Sequence, residues 1–135
     1  MSLMAKGREV HLARVAALQC FGKDLARRSK SKCELCERGG ETLSIVEVPP
    51  IFCEPAYERC VMLCKSCRLA VEDPKRFSPG EQWRFLAQSV WSELPAVQVL
   101  AVRLLKRMEA SEAWAREALE GVYLEEDIEI WVTEA

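Results

Sequence analysis

A chain of 135 residues, half of them hydrophobic and 30% charged, with a net charge of −2, can bury one core. That composition excludes a disordered polyelectrolyte and a membrane-embedded bundle. No apolar run approaches the ~18 residues of a transmembrane helix, and the polar, charged N-terminus lacks a signal-peptide pattern, so a soluble cytoplasmic protein is expected.

The near-neutral total hides a split. Residues 1–40 hold nine Lys/Arg against four Asp/Glu, and residues 109–135 hold one against nine. Such asymmetry suits a nucleic-acid patch, or simply solvated helix faces and two ends that pack together; the plainer reading is preferred.

The first element is a helix over 8–28, with Val10, Ala13, Ala17, Phe21 and Leu25 about one turn apart. His11, the only histidine, reads as a surface or capping residue rather than a ligand. The helix delivers a basic run to Cys33-Glu34-Leu35-Cys36, and a second pair follows at Cys64-Lys65-Ser66-Cys67. Two Cys-x-x-Cys pairs at this separation are the signature of a four-thiolate metal site, because each tight turn aims two sulfurs at one ion. Zinc is expected, one ion, with iron an alternative that four thiolates also suit. Disulfides, a dithiol redox pair and plain buried cysteines compete with this reading. Cys20, Cys53 and Cys60 are left over.

Between the pairs, Gly39 and Gly40 permit positive φ beside the first turn. Residues 42–48 alternate and are β-branched, so they read as a strand ended by Pro49-Pro50. Residues 59–63 return as its hairpin partner, and 68–72 read as a helix stopped at Asp73-Pro74. Turn, hairpin, then a turn opening a helix is the order of a treble clef.

Beyond this the chain reads as helical. Ser78, Pro79 and Glu81 form a capping box ahead of Trp83, Leu86, Val90 and Trp91. Pro95 breaks or kinks the run. A second helix carries Val97, Leu100, Ala101, Leu104 and Met108, and a third starts at Ser111 and stops at Gly121. The tail, 124–132, fits strand or helix; its acidic start favours helix. The four tryptophans are expected in the core. The fold class is therefore α+β, mostly helical: an N-terminal helix, a treble-clef or zinc-ribbon-like hairpin with a four-cysteine zinc site, and three to four C-terminal helices. One domain, 1–135, would comprise the helix 8–28, a zinc-binding subdomain 29–75 and a helical part 78–135.

Several strings resemble the PhnA protein family, associated by name with phosphonate utilisation. They are Gly22 to Lys32 leading into Cys33-Glu34-Leu35-Cys36, then Val46-Glu47-Val48-Pro49-Pro50, Cys64-Lys65-Ser66-Cys67, Trp91-Ser92-Glu93-Leu94-Pro95-Ala96-Val97-Gln98-Val99 and Tyr123-Leu124. The resemblance spans nearly the whole chain from about residue 5. It implies a zinc-finger-like region on Cys33, Cys36, Cys64 and Cys67. It also implies that the small β-rich C-terminal domain of longer members is missing here. It does not carry over phosphonoacetate hydrolysis, whose Asp and His metal ligands have no counterpart in this chain.

Three functions are compatible with these residues. The first is a non-catalytic zinc module recognising nucleic acid or a protein, with Lys23, Arg27, Arg28, Lys30 and Lys32 as candidate nucleic-acid contacts. Four thiolates close the coordination sphere, as in structural sites. The second is a metal-dependent hydrolase or nuclease, for which Glu47 is the only nearby base, although an ordinary polar residue of an alternating strand explains it better. The third is thiol redox or metal sensing through Cys53 and Cys60, against which stands the tendency of free cysteines to be small buried hydrophobes. The first is expected, with no membrane contact and no evident small-molecule substrate.

Overall fold

The computed structural model describes residues 3–134. Helices α1 (Leu3–Gln19) and α2 (Gly22–Ser29) precede the antiparallel hairpin β1 (Leu43–Glu47) and β2 (Cys60–Cys64). Helix α3 (Lys65–Glu72) follows β2 directly. Helices α4 (Leu86–Ser89), α5 (Pro95–Met108), α6 (Ala113–Gly121) and α7 (Glu126–Thr133) complete the chain. The architecture is the expected mostly helical α+β arrangement, with the hairpin beside the four cysteines and the helices C-terminal to it. No helix among the described residues is long and apolar enough to cross a membrane.

Helix α5 is the centre of the core. Pro95 sits at its first position after an extended Leu94, where a missing N–H costs nothing. Nine of its residues are buried, from Ala96 and Val97 to Leu105 and Met108. A helix apolar nearly all round must be covered on several sides, and α5 is packed by α4, α6, α7, α3 and β2. The cluster runs without interruption from Leu100 and Leu104 through Val61 and Leu63 to Cys33, Cys64 and Cys67. The cysteine region therefore leans on the helices rather than standing apart. Strand β2 is buried at four of its five positions because α2, α3 and α5 all pack against it.

Three expectations need correction. The helix read over 8–28 is two helices. The Phe21 N–H bonds the Leu18 carbonyl, tightening and ending α1, and Gly22 opens α2. Phe21 itself stays helical in φ and ψ, so the apolar period reads straight through the break. Of the proposed stripe only Leu25 is fully buried, and Val10 is 66% exposed.

The capping box at Ser78 does not form. Gly80 is extended, and the Ser78 carbonyl instead accepts bonds from Gln82 Nε2 and Trp83 Nε1, both 3.0 Å. One 3-10 turn, Glu81–Trp83, and the short α4 replace the long helix. Trp83 is held between the rings of Phe77 and Phe85, with centroids 5.3 and 5.8 Å away; that packing outweighs the local capping preference.

The tryptophans divide. Trp114 is buried, Trp83 and Trp131 are half-buried, and Trp91 is 60% exposed. The tail is helical, as expected, with Ile128 and Val132 inward. Its Trp131 indole N–H donates to the Pro49 carbonyl at 2.9 Å.

Candidate metal centre

The first turn is prepared by the end of α2. Lys30 and Ser31 both adopt positive φ, and the Ser31 N–H reaches back to the Ala26 carbonyl, closing the helix. The chain then reverses. Cys33 N–H bonds the Arg38 carbonyl, and Glu37 N–H bonds the Cys33 carbonyl at 2.8 Å. Positive φ at this turn falls on Glu37 (63°) and Gly40 (77°). Gly39 does not need it.

The second turn is built differently. Cys64 ends β2 and is the N-cap of α3, and Cys67 lies in that helix's first turn. A strand running straight into a helix thus places one sulfur on each.

The four Sγ atoms converge. All lie within 4.8 Å of one another, and Cys36 Sγ is 3.8 Å from Cys64 Sγ. Sulfurs ~2.3 Å from a tetrahedral zinc would be ~3.8 Å apart, so the donor set fits one ion of that size. Cys33, Cys64 and Cys67 are buried and Cys36 is half-buried. Cys36 borders a polar cleft of about 520 Å³ with Glu37, Ser89 and Trp91.

Left to protons alone, Cys33, Cys36 and Cys67 cannot all ionise together. Cys33 is drawn down to about 4, first by the hydrogen bond from Cys67 and then, against the opposing effect of burial, by backbone N–H groups of Cys36, Cys64 and Leu35. Cys67 is pushed up by that same bond and by burial. Burial pushes Cys36 up to about 11, with the Arg38 N–H opposing. Cys33 carries charge while Cys36 and Cys67 are forced to keep their protons. A divalent cation removes that conflict, since thiolates are the ligand form.

Two ion pairs brace the site, and the sequence did not announce either. Arg28 donates from Nε and Nη2 to the two Glu34 oxygens, each at 2.8 Å, and from Nη2 to the Cys60 carbonyl at 2.8 Å. The Glu34 side chain is only 3% exposed and also accepts the Met62 N–H. The residue inside the first Cys-x-x-Cys thus clamps α2 to β2. Arg14 grips Glu47 through Nε (2.8 Å) and Nη2 (2.6 Å) and reaches the Cys53 carbonyl, tying α1 to the hairpin. Ser89 Oγ donates to the Leu35 carbonyl at 2.6 Å, linking α4 to the first turn.

Among the basic residues, Lys23, Arg27, Lys30 and Lys32 are exposed on α2 and the turn after it, whereas Arg28 is committed to Glu34. Glu47 is occupied by Arg14. His11 is exposed on α1, away from the sulfurs' set. Cys60 is buried with its thiol toward the Ala56 carbonyl (3.3 Å), and burial raises its pKa to about 11. Cys20 and Cys53 are exposed.

Comparison with known proteins identifies no relative: no protein-family model, no curated protein and no solved structure matches the chain. What stands is a four-cysteine cluster able to hold one metal ion on a mostly helical α+β fold.

Proposed function

We propose that the protein is a non-catalytic zinc protein whose Cys33, Cys36, Cys64 and Cys67 form a structural site, and that it serves as an interaction module of the PhnA type. The carrying observation is the convergence of four sulfurs within 4.8 Å, continuous with the hydrophobic core. Four protein ligands fill a zinc ion's tetrahedron and leave no position for a reacting water. The same sulfurs would accept iron; the reading commits to zinc because it is the usual ion of paired Cys-x-x-Cys turns.

Bound, the ion would supply a fixed cross-link between the Cys33–Cys36 turn and the β2–α3 junction. The hydrolase reading loses ground because Glu47 is held by two bonds from Arg14; of the two cysteines of the redox reading, Cys60 is buried and only Cys53 is exposed. Exposed Lys23, Arg27, Lys30 and Lys32 support a polyanion, nucleic acid above all, as the partner.

Elemental analysis of protein purified without added metal tests the first part: one zinc per chain supports it, and iron or no metal contradicts it. Titration with RNA and DNA at varied salt tests the second. Arg27→Ala with Lys30→Ala should reduce the slope of log affinity against log salt by about 2. An affinity indifferent to both changes removes this surface from the account. Arg28→Ala is unsuitable, since it opens the clamp on Glu34.

A further inference from the structure

Away from the cysteines, α5 carries two cations toward one small cavity. Arg103 and Arg107, one turn apart, line a space of about 100 Å³ whose other walls are Pro49, Val71, Leu100 and Leu104. Each arginine has a structural task. Arg103 donates to the Pro49, Trp131 and Val132 carbonyls, at 2.8, 2.6 and 3.2 Å, and Arg107 Nη1 donates to the Ala70 carbonyl at 2.8 Å. Those bonds use only some of the donors. Arg103 Nη1 and Arg107 Nε and Nη2 make no hydrogen bond among the described residues, and neither guanidinium forms an ion pair there.

The charge is also crowded. Burial lowers the Arg103 pKa, and repulsion from Arg107 and Arg59 lowers it further, with Glu134 the one opposing charge. Arg59 lies between the Phe52 and Trp131 rings, 4.4 and 4.3 Å from their centroids, and its Nε and Nη2 are buried without partners. Arg103 is half-buried and Arg107 exposed; neighbouring cations of one sign are stabilised by an anion, and a guanidinium fork matches a planar carboxylate. Four of the six lining residues are apolar, so the remaining wall suits hydrocarbon rather than a hydrated inorganic ion.

We propose that this cavity binds a small aliphatic carboxylate, its oxygens on Arg103 and Arg107 and its hydrocarbon against Pro49, Val71, Leu100 and Leu104. The site is independent of the metal reading, because no cysteine lines it. Its occupant would bridge α5 to Pro49 at the end of the hairpin strand.

The test uses the full-length protein as purified, with acetate, butyrate and inorganic phosphate at fixed ionic strength. The readouts are thermal unfolding and the NMR position of the Trp131 indole N–H, which bonds the Pro49 carbonyl beside Arg103. Butyrate should raise the melting temperature saturably and shift the indole signal, with acetate weaker. Arg107→Gln should weaken butyrate roughly tenfold, and Arg76→Gln, at a side chain 86% exposed, should change nothing. Unchanged far-UV circular dichroism of Arg107→Gln shows that the variant is folded. Should it not fold, Val71→Asp supplies a resident carboxylate to the wall and should abolish the butyrate response. A response equal in wild type and variants, saturation by phosphate alone, or an unmoved indole signal overturns the proposal.

Discussion

Between Cys33 and Glu72 the chain builds one hairpin of five-residue strands and one eight-residue helix. Between Leu86 and Thr133 it builds four helices, with α5 alone burying nine residues. The first region draws its order from four converging sulfurs and from Arg28 on Glu34. The second draws it from apolar burial, at roughly 25 cal/mol per Å² removed from water. The two regions would therefore fail in different ways. A two-stranded hairpin has little stability of its own in water, so the first region would depend on the cross-link that the proposed ion supplies and on the face that α5 offers. The helical region has a centre that needs no ion.

The largest predicted effect breaks the first region. Cys64→Ser removes a fully buried ligand and should abolish metal retention, unfolding residues 33–72 while most helical circular dichroism persists at a lowered melting temperature. Structural zinc in finger peptides binds with about 10–16 kcal/mol, so no local packing can substitute. Loss of all helical signal would mean that the two regions cannot be separated.

Next comes the reverse experiment. Leu104→Ala, at a residue 1% exposed, should cost about 2–5 kcal/mol in denaturant unfolding while one metal ion stays bound in the folded protein. A smaller third effect sharpens the border between the regions. Glu34→Ala leaves the Arg28 fork and the Met62 N–H without their acceptor and should cost about 2–3 kcal/mol. Hydrogen exchange should then quicken in α2 and β2 before α6.

The smallest effect is a pH dependence. The Cys60 pKa is raised from the ordinary thiol value of 9.0 to about 11 by burial. Between those values the unfolded chain has lost a proton that the folded chain keeps, so this contribution to stability falls as pH rises from 9 toward 11. Below that window, iodoacetamide should label Cys20 and Cys53 and leave Cys60 intact. Labelling of Cys53 much faster than of the likewise exposed Cys20, or rapid labelling of Cys60, in the folded, metal-loaded protein would return the redox reading.

The paired cysteines were legible because ligand spacing is a local property: two residues between sulfurs define a turn whatever surrounds it. The hairpin and α5 were legible for a similar reason, each written in a period of apolar residues, whereas α7, whose period fits strand or helix, was legible from the acidic residues at its start. Glu34 was not, because its motif is defined by its cysteines, and nothing local distinguishes its partner Arg28 from the exposed cations Arg27 and Lys30 beside it. Arg14 and Glu47 are 33 residues apart, and no periodicity encodes that pairing. The break at Phe21 was hidden because its backbone stays helical. The failed box at Ser78 shows tertiary packing around Trp83 overriding a local preference.

Zinc K-edge absorption of the protein as purified would count the neighbours of the ion. The account predicts four sulfurs at ~2.3 Å and no lighter atom. A first shell with an oxygen or nitrogen in place of one sulfur would contradict it, leaving an open position at the metal and a centre built to react.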